Sequence, residues 1–181
     1  MATLLDELRV DHVNMLRLLE LLERQLAVFR RGDTPDYDLI AAVVDYCRTY
    51  PDRYHHPKED ALLEALREQA PTETAGLHVL TREHEELSGL TLRLAEVTDR
   101  VLQDLEVPRQ QLDAAAREFI DAYRRHIAWE DAELLPRLDA TLGGAELRQV
   151  ERQLQAVADP LFGDAGQERF KVLRRQLLRD G

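Results

Sequence analysis

Apolar residues recur at intervals of three and four along nearly the whole chain. Between Thr3 and Arg31, Leu5, Leu8, Met15, Leu16, Leu19, Leu22 and Leu26 form one stripe, which predicts a helix buried along one face. Thr3 stands where a cap is needed, and Gly32 ends the pattern. The chain restarts at "DTPDY", with Thr34 predicted as the cap and Pro35 as the first helical residue. A second helix then runs to Gln69, interrupted or bent near Pro51 and Pro57. "APTET" breaks it, a third helix is predicted from Glu73 to Leu105, and "EVPRQ" turns into a fourth that ends near Gly143-Gly144. Two shorter helices follow, "AELRQVERQLQAVA" and "GQERFKVLRRQLLRD", separated by "DPLFGDAG". No segment reads as a strand. The predicted fold class is all-α: an antiparallel up-down four-helix bundle over residues 1–142, with residues 143–181 as a helical extension packed on it, together one domain.

Composition narrows the function. Hydrophobic residues make up 44% of the 181 positions and charged residues 33%, which suits a folded chain and not a disordered one. The formal net charge of −11 argues against nucleic acid or an anionic membrane as partner, because both need basic surface. Cys47 is the single cysteine, so there is no internal disulfide and a reducing compartment is expected. The opening "MATLLDELRVDH" shows no basic region followed by an apolar run. No apolar stretch approaches the roughly 20 residues that span a bilayer. A cytoplasmic location without membrane partners is expected.

The six histidines carry the chemistry. "HHPKE" (His55 to Glu59) and "HIAWE" (His126 to Glu130) each contain His-x-x-x-Glu. Residues four apart sit one above the other on a helix, with Cβ atoms roughly 5–6 Å apart. One imidazole and one carboxylate per helix can thus converge on a metal pair. His56 has an equal geometric claim with Asp60, but adjacent residues point about 100° apart, so His55 and His56 cannot both aim at one point. Depth along the bundle brings in two more histidines. Counted from the three turns, His12, the His55–Glu59 midpoint, His84 and the His126–Glu130 midpoint agree within about three residues, a few ångströms at ~1.5 Å of rise each. His78 lies off that level and reads as structural or exposed, Tyr123 and Trp129 read as core, and Cys47 as a buried apolar filler.

These residues resemble the hemerythrin-like, or HHE cation-binding, family. Its ordered pattern His … His-x-x-x-Glu … His … His-x-x-x-Glu is matched by His12, His55/Glu59, His84 and His126/Glu130, and the words "DHVNMLRLLELLERQL", "HHPKED", "REHEEL" and "DPLFG" are similar to the family's. The resemblance selects His55 with Glu59 as the second-helix pair. It leaves His56 as a supporting or surface residue, or as an additional ligand.

The resemblance implies a non-haem di-iron site with His12, His55, His84 and His126 as terminal ligands and Glu59 and Glu130 bridging. Four imidazoles and two carboxylates also suit manganese or zinc, but structural zinc normally takes four ligands, often thiolates. Two anionic bridges offset the charge of two divalent ions in a low-dielectric interior. Leu16, Leu63 and Leu134, one turn from the ligands, are expected to wall the pocket. The implied partner is a small diatomic or peroxidic ligand: O2, NO or peroxide.

Oxygen-carrying hemerythrins add a histidine four residues before the third-helix one, where this chain has Leu80, and use aspartate where it has Glu130. A four-histidine site would leave about two positions open on a pair of six-coordinate irons, which points to sensing, scavenging or peroxide chemistry rather than oxygen carriage. Three alternatives stand beside this reading. A ferritin-like di-iron carboxylate oxidase needs Glu-x-x-His on two helices, which is absent here. An iron-centre repair protein usually carries a preceding cysteine-containing segment. A metal-free helical module would use the histidines only structurally.

Overall fold

The computed structural model describes residues 3–75, 77–154, 159–163 and 168–180, without the side chains of His78 and Asp180. Helix α1 (Leu4–Arg30) begins at Thr3, whose hydroxyl accepts the Asp6 amide while the Asp6 carboxylate accepts the Thr3 amide. Two otherwise orphaned donors are satisfied reciprocally. Its buried face carries Leu5, Leu8, Met15, Leu19, Leu22 and Leu26, with Leu16 half-buried at the edge. The chain reverses at Gly32, whose φ of 93° suits a residue without Cβ.

Helix α2 (Tyr37–Thr49) does not start where predicted. Asp36, not Thr34, is the cap, accepting the Leu39 amide at 2.9 Å, and Pro35 lies before the cap. The charged carboxylate sits three residues before the free amide, and it favours the positive end of the helix dipole as well. A π-helical turn (Pro51–His55) then leads into α3 (His56–Gln69). The predicted third helix is shorter than expected. Pro71–Thr74 and Leu77–Val79 form single 3-10 turns, and α4 spans Leu80–Leu102. Leu77 and Leu80 are both fully buried at the end of the bundle, and a chain crossing that end cannot continue as one straight helix. Helix α5 (Arg109–Trp129), a second π turn (Glu130–Leu134) and α6 (Leu135–Thr141) make the last long arm, followed by α7 (Gly144–Gln153) and α8 (Lys171–Asp180).

Four arms result: α1, α2–α3, α4 and α5–α6. Each packs on the next, and α5 packs back on α1. Two hydrophobic clusters show that the arms alternate in direction. One holds Leu5, Leu8, Leu62, Leu66, Leu80 and Leu138; the other holds Leu22, Phe29, Ile40, Leu94, Val97 and Leu112. The first arm enters at the former cluster and leaves at the latter, the second runs back, and the third and fourth repeat the circuit. In the C-terminal part, Val150 joins the first cluster and Phe170, Leu173 and Leu177 the second. Asp159 accepts the Tyr46 hydroxyl at 2.7 Å and the Leu161 and Phe162 amides, tying "DPLFG" to α2. Of the two predicted C-terminal helices, residues 155–158 and 166–167 lie outside the described residues. Among the described residues no helix is long and apolar enough to cross a membrane.

Candidate metal centre

Between the two hydrophobic clusters lies a polar layer. On α1 it falls between Leu8 and Met15, on the second arm between Tyr50 and Leu62, on α4 between Leu80 and Leu87, and on the fourth arm around His126 and Glu130. His12, His55, His56, Glu59, His84, His126 and Glu130 are all buried there, Glu59 and Glu130 with no exposure at all. Their donor atoms gather into two groups, each within 4.8 Å: His12, His55, Glu59 and Glu130 in one, and His56, Glu59, His84 and His126 in the other. The six residues picked from the sequence are thus brought together, and His56 joins them. It is 4% exposed and stacks on His84 at 4.2 Å between ring centroids. The surface reading of His56 is corrected.

The two neighbouring histidines do aim at different points, as the turn angle requires; the centre simply has two points. His55 faces His12, with ring centroids 5.0 Å apart, and His56 faces His84 and His126.

Each glutamate spans both halves. Glu59 Oε1 lies 3.4 Å from His12 Nε2 and 3.2 Å from His55 Nε2, while its Oε2 lies 3.4 Å from His84 Nε2. Glu130 Oε2 lies 3.3 Å from His12 Nε2, and its Oε1 lies 3.0 Å from His126 Nε2 and 3.6 Å from His84 Nε2. One carboxylate oxygen toward each half is the geometry of a bridge.

Local backbone geometry sets the second arm's presentation. Pro57 has no amide hydrogen and its ring crowds the preceding turn. The Tyr50 carbonyl accepts both the Tyr54 and the His55 amides, and the Pro51 carbonyl accepts His56. The register therefore widens to i→i−5 just before the proline. The fourth arm uses the same device: Leu135 donates to the Glu130 carbonyl immediately before Pro136.

Electrostatics follow from burying acids among imidazoles. Burial drives His12 toward the neutral form, but Glu130 and Glu59 outweigh it and raise His12 to about 11. His84 likewise reaches about 11 against burial, through Asp60, Glu130 and Glu59, and His55 about 9 through Glu59 and Asp11. Burial would raise Glu59, yet His55, His12 and His84 hold it well below the usual range. Glu130, raised by burial and by Glu59, is brought down to about 2 by His12, His126 and His84. His56 goes the other way: burial and His84 push it well below normal. It is held as neutral imidazole, the form that ligates metal.

These donors fit a pair of cations. Buried Nε2 atoms of His55, His56, His84 and His126, together with Glu59 Oε2 and both Glu130 oxygens, have no hydrogen-bond partner. Polar atoms buried at that density without hydrogen-bond partners are costly unless a ligand satisfies them. Leu63 and Leu134 are buried beside this layer, as expected of walls, with Leu16 only partly so. Tyr123 and Cys47 lie in the hydrophobic core, and burial pushes the Cys47 thiol up. The side chain of His78 lies outside the described residues.

Comparison with curated proteins and with solved structures gives no match. The hemerythrin HHE cation binding domain matches residues 3–138, a span that holds all four arms up to α6 and every residue of the polar layer. The chain belongs to the hemerythrin HHE cation-binding domain family.

Proposed function

We propose that this protein holds a non-haem di-iron centre that binds or reacts with O2, NO or peroxide, in sensing, scavenging or iron and oxygen handling in the cytoplasm. The carrying observation is the pair of buried donor groups joined by two carboxylates that each face both halves. His12 and His55 serve one iron, His56, His84 and His126 the other, and Glu59 and Glu130 bridge. Mixed imidazole and carboxylate donors favour iron or manganese over a four-ligand structural zinc site. When bound, the metal pair supplies the redox chemistry. The chain's residues orient it and exclude water from it, with Leu63 and Leu134 closing one side.

Counting His56 changes the expected reactivity. With it, five imidazoles and two carboxylates would hold the metal pair, one imidazole more than the four-histidine reading counts. The expectation of two free positions, and the argument it gives against oxygen carriage, holds only for a site without His56. A cleft of about 270 Å³ between α4 and α5, lined by Glu83, Leu87, Arg125, His126 and Trp129, gives small molecules a route to His126.

Metal analysis of protein purified without chelator tests the centre, with about two irons per chain expected for a binuclear site. Absorbance of the reduced protein mixed with O2, NO or peroxide then identifies the ligand. Protein free of metal, or loaded with a single zinc, would overturn the reading.

A further inference from the structure

The acids beside the ligands form a pattern that the ligand set does not explain. Asp11 precedes His12 on the first arm, and its Oδ2 lies 3.1 Å from Nδ1 of His55 on the second. Asp60 follows Glu59 on the second arm, and its Oδ1 lies 3.4 Å from Nδ1 of His84 on the third, a close ion-pair contact rather than a well-aligned hydrogen bond. Glu83 precedes His84 on the third arm, and its Oε2 lies 3.3 Å from Nδ1 of His126 on the fourth. Asp131 follows Glu130 on the fourth arm, and its Oδ1 lies 2.8 Å from Nδ1 of His12 on the first. The circuit closes.

Helix geometry explains the alternation of preceding and following positions. A ligand aimed at the bundle axis has its sequence neighbours rotated about 100° to either flank. On arms running in one direction the preceding residue faces the next arm; on arms running the other way the following residue does. Residues at −1, +1, −1 and +1 therefore all turn in the same rotational sense. Each reaches the adjacent helix at the depth of its histidine. The sequence signature is Asp-His, Glu-Asp, Glu-His, Glu-Asp, at 11–12, 59–60, 83–84 and 130–131. His56 stands outside the circuit: its Nδ1 faces Asp52 of its own arm at 3.6 Å.

We infer that Asp11, Asp60, Glu83 and Asp131 act as a closed ring of positioning residues that aims four imidazoles inward and biases the bound metal toward its oxidised state. The inference rests on the metal-centre reading above. An acid on the outer ring nitrogen places the hydrogen on Nδ1, leaves the Nε2 lone pair for the metal and makes the imidazole a stronger donor. Stronger donors and added negative charge favour the higher metal charge, which lowers the reduction potential. Asp11 differs from the other three: it is buried and shares its charge with the Tyr50 hydroxyl it accepts and with Lys58 Nζ at 3.9 Å, whereas Asp60, Glu83 and Asp131 reach solvent.

The test uses the iron-loaded full chain with Asp11→Asn, Asp60→Asn, Glu83→Gln and Asp131→Asn, read as iron per chain and as midpoint potential by spectroelectrochemical titration. The amide keeps an oxygen for the Nδ1 hydrogen but removes the charge. Iron content should stay at the wild-type value while the midpoint potential rises in every variant. Asp131→Glu, which restores the charge, should return the potential to wild type, and Asp99→Asn, on α4 outside the ring, should leave it unmoved. Should Asp11→Asn fail to fold, the three solvent-reaching positions carry the test. Iron-loaded variants with potentials equal to that of Asp99→Asn would overturn the ring and leave the centre standing. A wild-type chain that takes up no iron would overturn both.

Discussion

His55 and His56 are adjacent in the chain but serve different halves of the polar layer, so each should govern one metal. His55→Ala and His56→Ala are each expected to lower the iron content by roughly half, since loss of a ligand weakens the ion it holds. Plasma mass spectrometry on folded variants checks this; a His56→Ala protein retaining both irons would return that residue to a supporting role. Cys47 behaves differently. It is 2% exposed within the hydrophobic core, and burial holds its thiol protonated. Because the thiolate is the reactive form, Cys47 should resist alkylation at pH 8 in the native protein and react fully once denatured. Rapid labelling of native protein, followed by mass spectrometry, would contradict its place in the core. At this scale the sequence was informative about residue type and spacing. It left His56 open between a supporting or surface place and an additional ligand, because assigning a side chain to one of two positions requires knowing where the other arms stand.

Helix ends and interruptions obey local rules that the sequence expresses imperfectly. Thr34 was the expected cap in the "DTPDY" turn, but Asp36 takes that place because its carboxylate reaches the Leu39 amide. Asp36→Ala should therefore destabilise the protein by about 1 kcal/mol, the usual worth of an N-cap. Thr34→Ala should be close to neutral. Comparison of the two by urea denaturation decides it, and equal losses would favour the Thr34 reading. Pro51 and Pro57 were legible as a disturbance of the second arm. That the disturbance is a π turn, repeated before Pro136, was not. A proline removes one donor, but whether the helix kinks, breaks or widens depends on what the neighbouring arms hold in place.

The whole molecule is two apolar cores joined through a layer of buried charge. In that arrangement a bound metal pair would link all four arms and satisfy buried polar atoms that otherwise lack hydrogen-bond partners. Removing it with a chelator should lower the melting temperature, because the ions bind the folded chain and not the unfolded one. At free metal ~1,000 times the dissociation constant the loss is about 4 kcal/mol. Calorimetry with and without iron measures it, and identical melting temperatures would rule out a centre shared by four arms. Core substitutions test the other layers. Leu22→Ala and Leu63→Ala, one in each core and both at 1% exposure or less, should each cost about 2–5 kcal/mol.

The sequence by itself determined the helical class, the number of long arms and a set of histidines and acids recurring at one depth, because helical periodicity and four-residue spacing are local properties written along one chain; the choice of His55 with Glu59 within that set came from the family resemblance. Only the tertiary structure decided that Asp36 caps α2, that the third arm begins at Leu80, that His56 faces the centre, and that each acid beside a ligand serves the histidine of the next arm. The facing of His56 and of the acids beside the ligands depends on the rotation of the helices about their own axes. That rotation is set by the packing of the two cores and by the reversal of direction at each turn.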